Sequence, residues 1–183
     1  MDADEQRGLY RMRIYCLGMS RTGTTTFTDY LANYGLNVIH YPSQMQLMGG
    51  AGDGASDIPV IPVYKDLDKM FRDAKFVYLT RENWVDAVEP YFLRKTGRNY
   101  GSATTMLREQ VYGSVLWDRQ KYGDAYKRHD YDVREYFMGR DNFLEMDLVG
   151  GESPQRLIDF LGLPDWGLDY FPKSNSREKT WNK

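Results

Sequence analysis

The sequence predicts an α/β protein of three layers, a central parallel sheet flanked by helices. Three observations point there. Residues 13–17 are a short apolar run that enters Gly18, and a polar, glycine-bearing turn follows before helical periodicity sets in. Asn37-Val38-Ile39-His40 reads as a second short strand after that helix, giving a βαβ unit with a right-handed crossover and parallel strands. A third run, Lys75-Phe76-Val77-Tyr78-Leu79-Thr80, has the composition of a buried strand and stops abruptly at Arg81.

The elements follow in order. Phe27, Tyr30, Leu31 and Tyr34 fall at i, i+3, i+4 and i+7 from Thr24 onward, one helical face that Gly35 closes. Residues 41–62 carry Gly49, Gly50, Gly52 and Gly54 and show no period. Such a stretch exceeds the roughly 12–15 residues of an idle loop, so it reads as a substrate lid or a disordered segment. A short helix is expected over 64–71 and another over 82–94, with Pro90 ending or kinking the second. Leu107, Val111, Tyr112, Val115 and Leu116 mark a further helix, and Tyr126, His129, Val133 and Phe137 the next. Residues 142–148 read as a last strand. Ser153-Pro154 is an N-cap and first-turn pair for a helix carrying Leu157, Phe160 and Leu161 up to Gly162. From about residue 164 the tail is irregular and basic.

Composition bounds the function. At 183 residues, 42% hydrophobic and 15% aromatic, the chain is expected to form one domain over 1–183. Its net charge of −2 gives no global positive field for a nucleic-acid backbone. The acidic amino terminus and the lack of any apolar run near the ~18 residues of a membrane span predict neither export nor a membrane anchor. The single Cys16, set in an apolar run, predicts a buried thiol in a reducing compartment, the cytoplasm by default.

Chemistry concentrates in Gly18-Met19-Ser20-Arg21-Thr22-Gly23-Thr24-Thr25-Thr26. Glycines at both ends of a strand-to-helix turn aim free backbone N–H groups and the helix dipole at one point, which suits an anion. Ser20, Thr22, Thr24 and Thr25 add hydroxyls, and Arg21 adds a fork of donors suited to phosphate or sulfate oxygens. A nucleoside-triphosphatase loop would place lysine where Thr24 stands, so ordinary ATP or GTP hydrolysis is disfavoured. Asp147, after the last strand, imitates a magnesium-holding aspartate and keeps a small-molecule kinase using Mg-ATP as an alternative.

Arg21-Thr22-Gly23-Thr24-Thr25 resembles the 5′-phosphosulfate loop of the sulfotransferase family. The strand 75–80 ending at Arg81 resembles the family's strand before the arginine that binds the 3′-phosphate. Val111-Tyr112-Gly113, the block from Tyr126 through His129 to Val133, Tyr136-Phe137, Asp159-Phe160-Leu161-Gly162-Leu163-Pro164 and Phe171-Pro172-Lys173-Ser174-Asn175 resemble a bacterial subgroup. The resemblance implies a P-loop NTPase-like fold, 3′-phosphoadenosine 5′-phosphosulfate (PAPS) as donor, and a small-molecule hydroxyl or amine acceptor. No metal is implied, because no terminal phosphate is transferred. It further implies Ser20, Arg21, Thr22, Gly23, Thr24, Thr25, Thr26 and Arg81 as donor-binding residues, with Arg21 also the catalytic leaving-group stabiliser. The family's usual serine eight residues beyond the arginine is missing: Glu89 or, with two residues deleted, Ala87 stands there. That departure leaves Arg81 acting alone or helped by Lys173, Ser174 and Arg177, and it lends weight to a second alternative, a noncatalytic nucleotide-binding protein.

A histidine titrating near neutrality suits removal of the acceptor's proton. His40, at the carboxyl end of the second strand, is the candidate base, against a structural or acceptor-contact role; Asp57 and Asp66 come next. His129 shares an apolar stripe with Tyr126 and Val133 and reads as a core histidine. Trp84, Tyr91 and Phe92 line either an acceptor pocket or the core.

Overall fold

A computed structural model describes residues 12–172. Five strands form one parallel sheet: β1 (Ile14–Cys16), β2 (Val38–His40), β3 (Gly54–Ser56), β4 (Lys75–Leu79) and β5 (Phe143–Met146), in the spatial order β2-β3-β1-β4-β5. Seven α-helices accompany them: α1 (Thr24–Ala32), α2 (Gln44–Met48), α3 (Tyr64–Met70), α4 (Trp84–Leu93), α5 (Ser102–Tyr112), α6 (Arg119–Tyr136) and α7 (Pro154–Leu161).

Alternation along the central strands creates the layers, because successive strand side chains leave on opposite faces. Ile14, Cys16, Val77 and Leu79 pack on one face with Phe27 and Leu31 of α1 and Leu157 of α7. Tyr15, Phe76 and Tyr78 pack on the other with Tyr64 and Leu67 of α3 and Val133 of α6. Both faces are buried, which is why these strands read as continuous apolar runs. A third cluster, around Met19, Trp84, Val88, Phe92, Tyr112 and Tyr122, ties α4, α5 and α6 together beyond the sheet. Cys16 is a free, fully buried thiol whose pKa burial pushes up to about 12.

The structure corrects three expectations. Residues 41–62 are ordered: they hold α2, closed by a Ser43 capping box, then β3 and a 3-10 helix (Ile58–Val63). β3 lies between β2 and β1, so the first βαβ unit straddles a strand. Gly54 permits this insertion, since a Cβ there would stand 1.8 Å from the Ile14 carbonyl oxygen. Second, Pro90 does not end α4, which runs on to Leu93 within the expected 82–94 span. Third, α5 stops at Tyr112, with Gly113 taking a left-handed φ of 72°, so Val115 and Leu116 lie outside it.

The described part of the tail crosses α1. Trp166 stacks on Tyr34 with ring centroids 4.8 Å apart, the Tyr30 hydroxyl donates to the Leu168 carbonyl at 3.0 Å, and Phe171 meets Tyr30 edge-on. Lys173, Ser174 and Arg177 fall outside the described residues.

Candidate active site

The loop between β1 and α1 is held from several sides. The buried His129 Nε2–H donates to the Leu17 carbonyl at 2.7 Å, anchoring the strand's exit to α6, and burial lowers that imidazole's pKa. Gly18 allows close folding, since a Cβ there would lie 2.4 Å from Thr22 Oγ1 and 3.1 Å from Leu79 Cβ. Trp84 Nε1–H donates to the Ser20 carbonyl at 2.8 Å, and the Tyr112 hydroxyl donates to Ser20 Oγ at 2.8 Å. With its oxygen accepting, the Ser20 hydroxyl hydrogen stays available to a ligand. Arg21 sits at a φ of 70°, unusual for a side chain with a Cβ, and Arg81 Nη1 donates to its carbonyl at 2.7 Å.

Gly23, at a φ of 102°, occupies the N-cap of α1 and brings no side-chain cap. The amides of Thr24, Thr25 and Thr26 therefore lack acceptors within the helix and face outward at its positive end. They border a cavity of about 560 Å³ lined by Ser20, Arg21, Gly23, Thr24, Thr25, Thr26, His40, Asp57 and Arg81, with Tyr91 and Phe171 at its sides. Thr22 is the exception among the loop residues. Fully buried, it turns its hydroxyl inward to the Met19 carbonyl at 2.8 Å, and its amide reaches the same oxygen. It shapes the loop rather than lining the cavity.

Among the described residues neither Arg21 nor Arg81 has a carboxylate within ion-pair distance. Burial first, and then the neighbouring Arg21 charge, lower the Arg81 pKa, the mark of two cations facing one space. The Arg21 guanidinium stands 5.3 Å from the Tyr91 ring centroid, so Tyr91 borders the cavity while Trp84 and Phe92 are core.

The parallel register of β2 with β3 pairs His40 with Ser56, which brings Asp57 beside the imidazole. Asp57 Oδ2 is 3.4 Å from His40 Nε2, Thr25 Oγ1 is 3.2 Å from the same nitrogen, and Ser56 Oγ is 3.1 Å from Nδ1. Desolvation raises the Asp57 pKa, opposed by the Ile58 amide at 2.7 Å, by His40 and by the Thr24 hydroxyl. Asp66 is elsewhere, solvent-exposed and beside Lys69.

A family model for the sulfotransferase domain matches residues 44–180. The chain belongs to the sulfotransferase family. No curated protein matches the sequence. The matched span includes Asp57 and Arg81 and starts after the loop and His40, so these last stand on geometry alone.

Two features of this sulfotransferase bear on the sequence alternatives. Asp147 accepts from the Gly150 amide at 2.7 Å and approaches the Glu82 amide at 3.4 Å; it closes a turn and does not border the cavity. Glu89, at the position of the family's serine, is engaged by Trp117 Nε1 at 3.1 Å and Arg119 at 3.0 Å and also lies off the cavity, so it opposes no phosphate there. Among the described residues there is no cluster of three or more metal-ligating side chains, and no helix is long and apolar enough to cross a membrane.

A second cavity, of about 650 Å³, opens at the same edge of the sheet between α2, the 3-10 helix and α5. Tyr41, Leu47, Pro62, Met106, Leu107 and Gln110 contribute to its wall, and no charged side chain does. Tyr41 directly follows His40 and Pro59 lies two residues after Asp57, so neighbouring residues of the same two segments line both cavities.

Proposed function

We propose that the protein transfers a sulfuryl group from PAPS to a hydroxyl or amine of a small, uncharged and largely apolar acceptor, in the reducing compartment that its buried lone thiol suits. The observation that carries this reading is the pairing of Arg21 and Arg81, with no carboxylate within ion-pair distance of either among the described residues, over the uncapped start of α1.

The donor supplies an activated sulfuryl group whose departure leaves 3′-phosphoadenosine 5′-phosphate. The amides of Thr24, Thr25 and Thr26, with the Ser20 hydroxyl, hold the 5′ end. Arg21 balances the charge that grows on the leaving oxygen; removing one such donor typically costs ~10²–10³ in rate. Arg81 takes the 3′-phosphate, with four of its five N–H donors left after its bond to the Arg21 carbonyl. His40 Nε2 accepts the proton of the attacking group, and Asp57 stabilises the imidazolium that forms. The uncharged cavity beside His40 receives the body of the acceptor, because a charged molecule would lose its hydration there without gaining a counter-charge.

Thermal shift with 3′-phosphoadenosine 5′-phosphate against Mg·ATP tests the donor. Stabilisation by the bisphosphate is expected; stabilisation by Mg·ATP alone would overturn the reading in favour of a kinase. Mass spectrometry then follows sulfation of neutral phenols by PAPS, where Arg21→Ala is expected to lose at least about a hundredfold in turnover while keeping its fold. Binding with no transfer across such a panel would leave a noncatalytic nucleotide binder.

A further inference from the structure

The hydrogen bonds around His40 have a direction that can be worked out atom by atom. The Thr24 carbonyl only accepts, so the single hydroxyl hydrogen of Thr28 is committed to it at 2.9 Å. Across the 2.9 Å contact between Thr28 Oγ1 and Ser56 Oγ, Ser56 must then be the donor. Its one hydrogen spent, Ser56 offers only lone pairs to His40 Nδ1 at 3.1 Å, and the nitrogen must carry the proton. Ser56 is fully buried, so no bulk water relieves a reversed arrangement.

We infer that Thr28 and Ser56 are positioning residues that hold neutral His40 as the Nδ1–H tautomer and leave Nε2 bare toward the cavity. Nε2 is the atom that faces Thr25 and Asp57, so its unprotonated lone pair is held by the Thr25 hydroxyl until an acceptor hydroxyl takes that place. The inference rests on His40 being the base. Asp57 pulls the other way, since a carboxylate 3.4 Å from Nε2 favours a proton there. The aligned hydrogen-bond partner of Nε2 is the Thr25 hydroxyl at 3.2 Å, which donates to a bare nitrogen. Thr28 leaves α1 one turn after Thr24 and Ser56 ends β3, so the relay joins the helix, the sheet and the imidazole, and neither residue lines either of the two cavities.

The protein contains two histidines, and the second is an internal reference, because the Nε2–H of His129 donates to the Leu17 carbonyl. Long-range ¹H–¹⁵N correlation spectra of the ¹⁵N-labelled protein, taken at about pH 9 where an ordinary imidazole is neutral, read both tautomers directly. His40 is expected to show a protonated Nδ1 and a bare Nε2, and His129 the reverse. Two histidines alike, each protonated at Nε2, would overturn the inference. Ser56→Ala is expected to shift the His40 ratio toward Nε2–H by about tenfold and to lower kcat by a similar factor with the donor KM unchanged. Thr28→Ser should retain the wild-type pattern where Thr28→Val loses it. Unaltered spectra in Ser56→Ala would also overturn it. Altered spectra with unchanged turnover would uphold the tautomer assignment and remove His40 as the base, so the two failures are told apart.

Discussion

Arg81→Ala separates ligand binding from folding. In the free protein the Arg81 side chain contributes one hydrogen bond among the described residues, to the Arg21 carbonyl at 2.7 Å, and suffers both burial and the Arg21 charge. Those effects oppose each other, so the free variant is expected within about 0.5 kcal/mol of wild type, as for an ordinary surface change. With the bisphosphate bound, the variant lacks a charge-assisted contact worth about 2 kcal/mol, which weakens binding by roughly thirtyfold. At a ligand concentration of about one hundred times the wild-type Kd, binding stabilises wild type by about 2.7 kcal/mol and the variant by about 0.9 kcal/mol. For a chain of this size the ligand-induced rise in Tm should fall from about 5–11 °C to about 2–4 °C. Arg81→Lys should fall between, because an ammonium keeps the charge but cannot tether the Arg21 carbonyl and present a fork together. Differential scanning fluorimetry with 3′-phosphoadenosine 5′-phosphate, checked by calorimetry, reads the effect. An Arg81→Ala variant that binds within twofold of wild type would refute the assignment of Arg81 to the ligand.

Other consequences are open to equally direct measurement. Burial lowers the His129 pKa, so below about pH 6.5 the unfolded chain binds the proton that the folded one refuses, and stability falls with pH at up to ~1.4 kcal/mol per unit; urea titrations of His129→Gln should lose that slope, and an unchanged slope would place the acid sensitivity elsewhere. Gly18→Ala forces a Cβ to within 2.4 Å of Thr22 Oγ1, and chemical denaturation should show a loss of about 1–3 kcal/mol together with weakened bisphosphate binding; wild-type values for both would mean that the loop relaxes freely. Among acceptors, 2-naphthol should give a higher kcat/KM than its carboxylated analogue 6-hydroxy-2-naphthoate, and Thr104→Glu, placing a charge in the uncharged cavity, should raise the acceptor KM without altering bisphosphate affinity; a preference for the carboxylate would point to another acceptor path.

What the sequence disclosed depended on whether burial leaves an apolar trace. β1 and β4 sit between two helical layers and must be apolar on both faces, so both were legible, as was α1 with its stripe of Phe27, Tyr30 and Leu31. β3 is Gly-Ala-Ser, selected for close approach to β1 rather than for bulk, and no periodicity reveals it. That gap hid the most informative part of the site, because the β2–β3 register is what brings Ser56 and Asp57 to His40. Composition placed hydroxyls and an arginine in the loop, yet Thr22 turns inward while its neighbours face the cavity. The backbone of Arg21 and Gly23 decides that division, and residue type alone does not encode it.

The threonine in place of a loop lysine and the buried Asp57 have a single electrostatic explanation. A terminal phosphoryl group carries close to two negative charges at neutral pH, and a carboxylate near it raises the barrier unless lysine and a metal ion intervene. In this protein the Thr24 hydroxyl instead helps to hold down the Asp57 pKa, and the carboxylate accepts from the Ile58 amide, so it is kept in the cavity wall. A sulfuryl group bears at most one negative charge and needs less cation beneath it. The guanidiniums of Arg21 and Arg81 line the same cavity, where the charges of a leaving bisphosphate would gather. On the proposed reading of His40 as the base, Asp57 is thereby free to stabilise the imidazolium as the acceptor loses its proton. On that reading a lysine at position 24 would pair with Asp57 and withdraw that support, so the residue that argues against phosphoryl transfer would also be the one that lets the carboxylate assist a base.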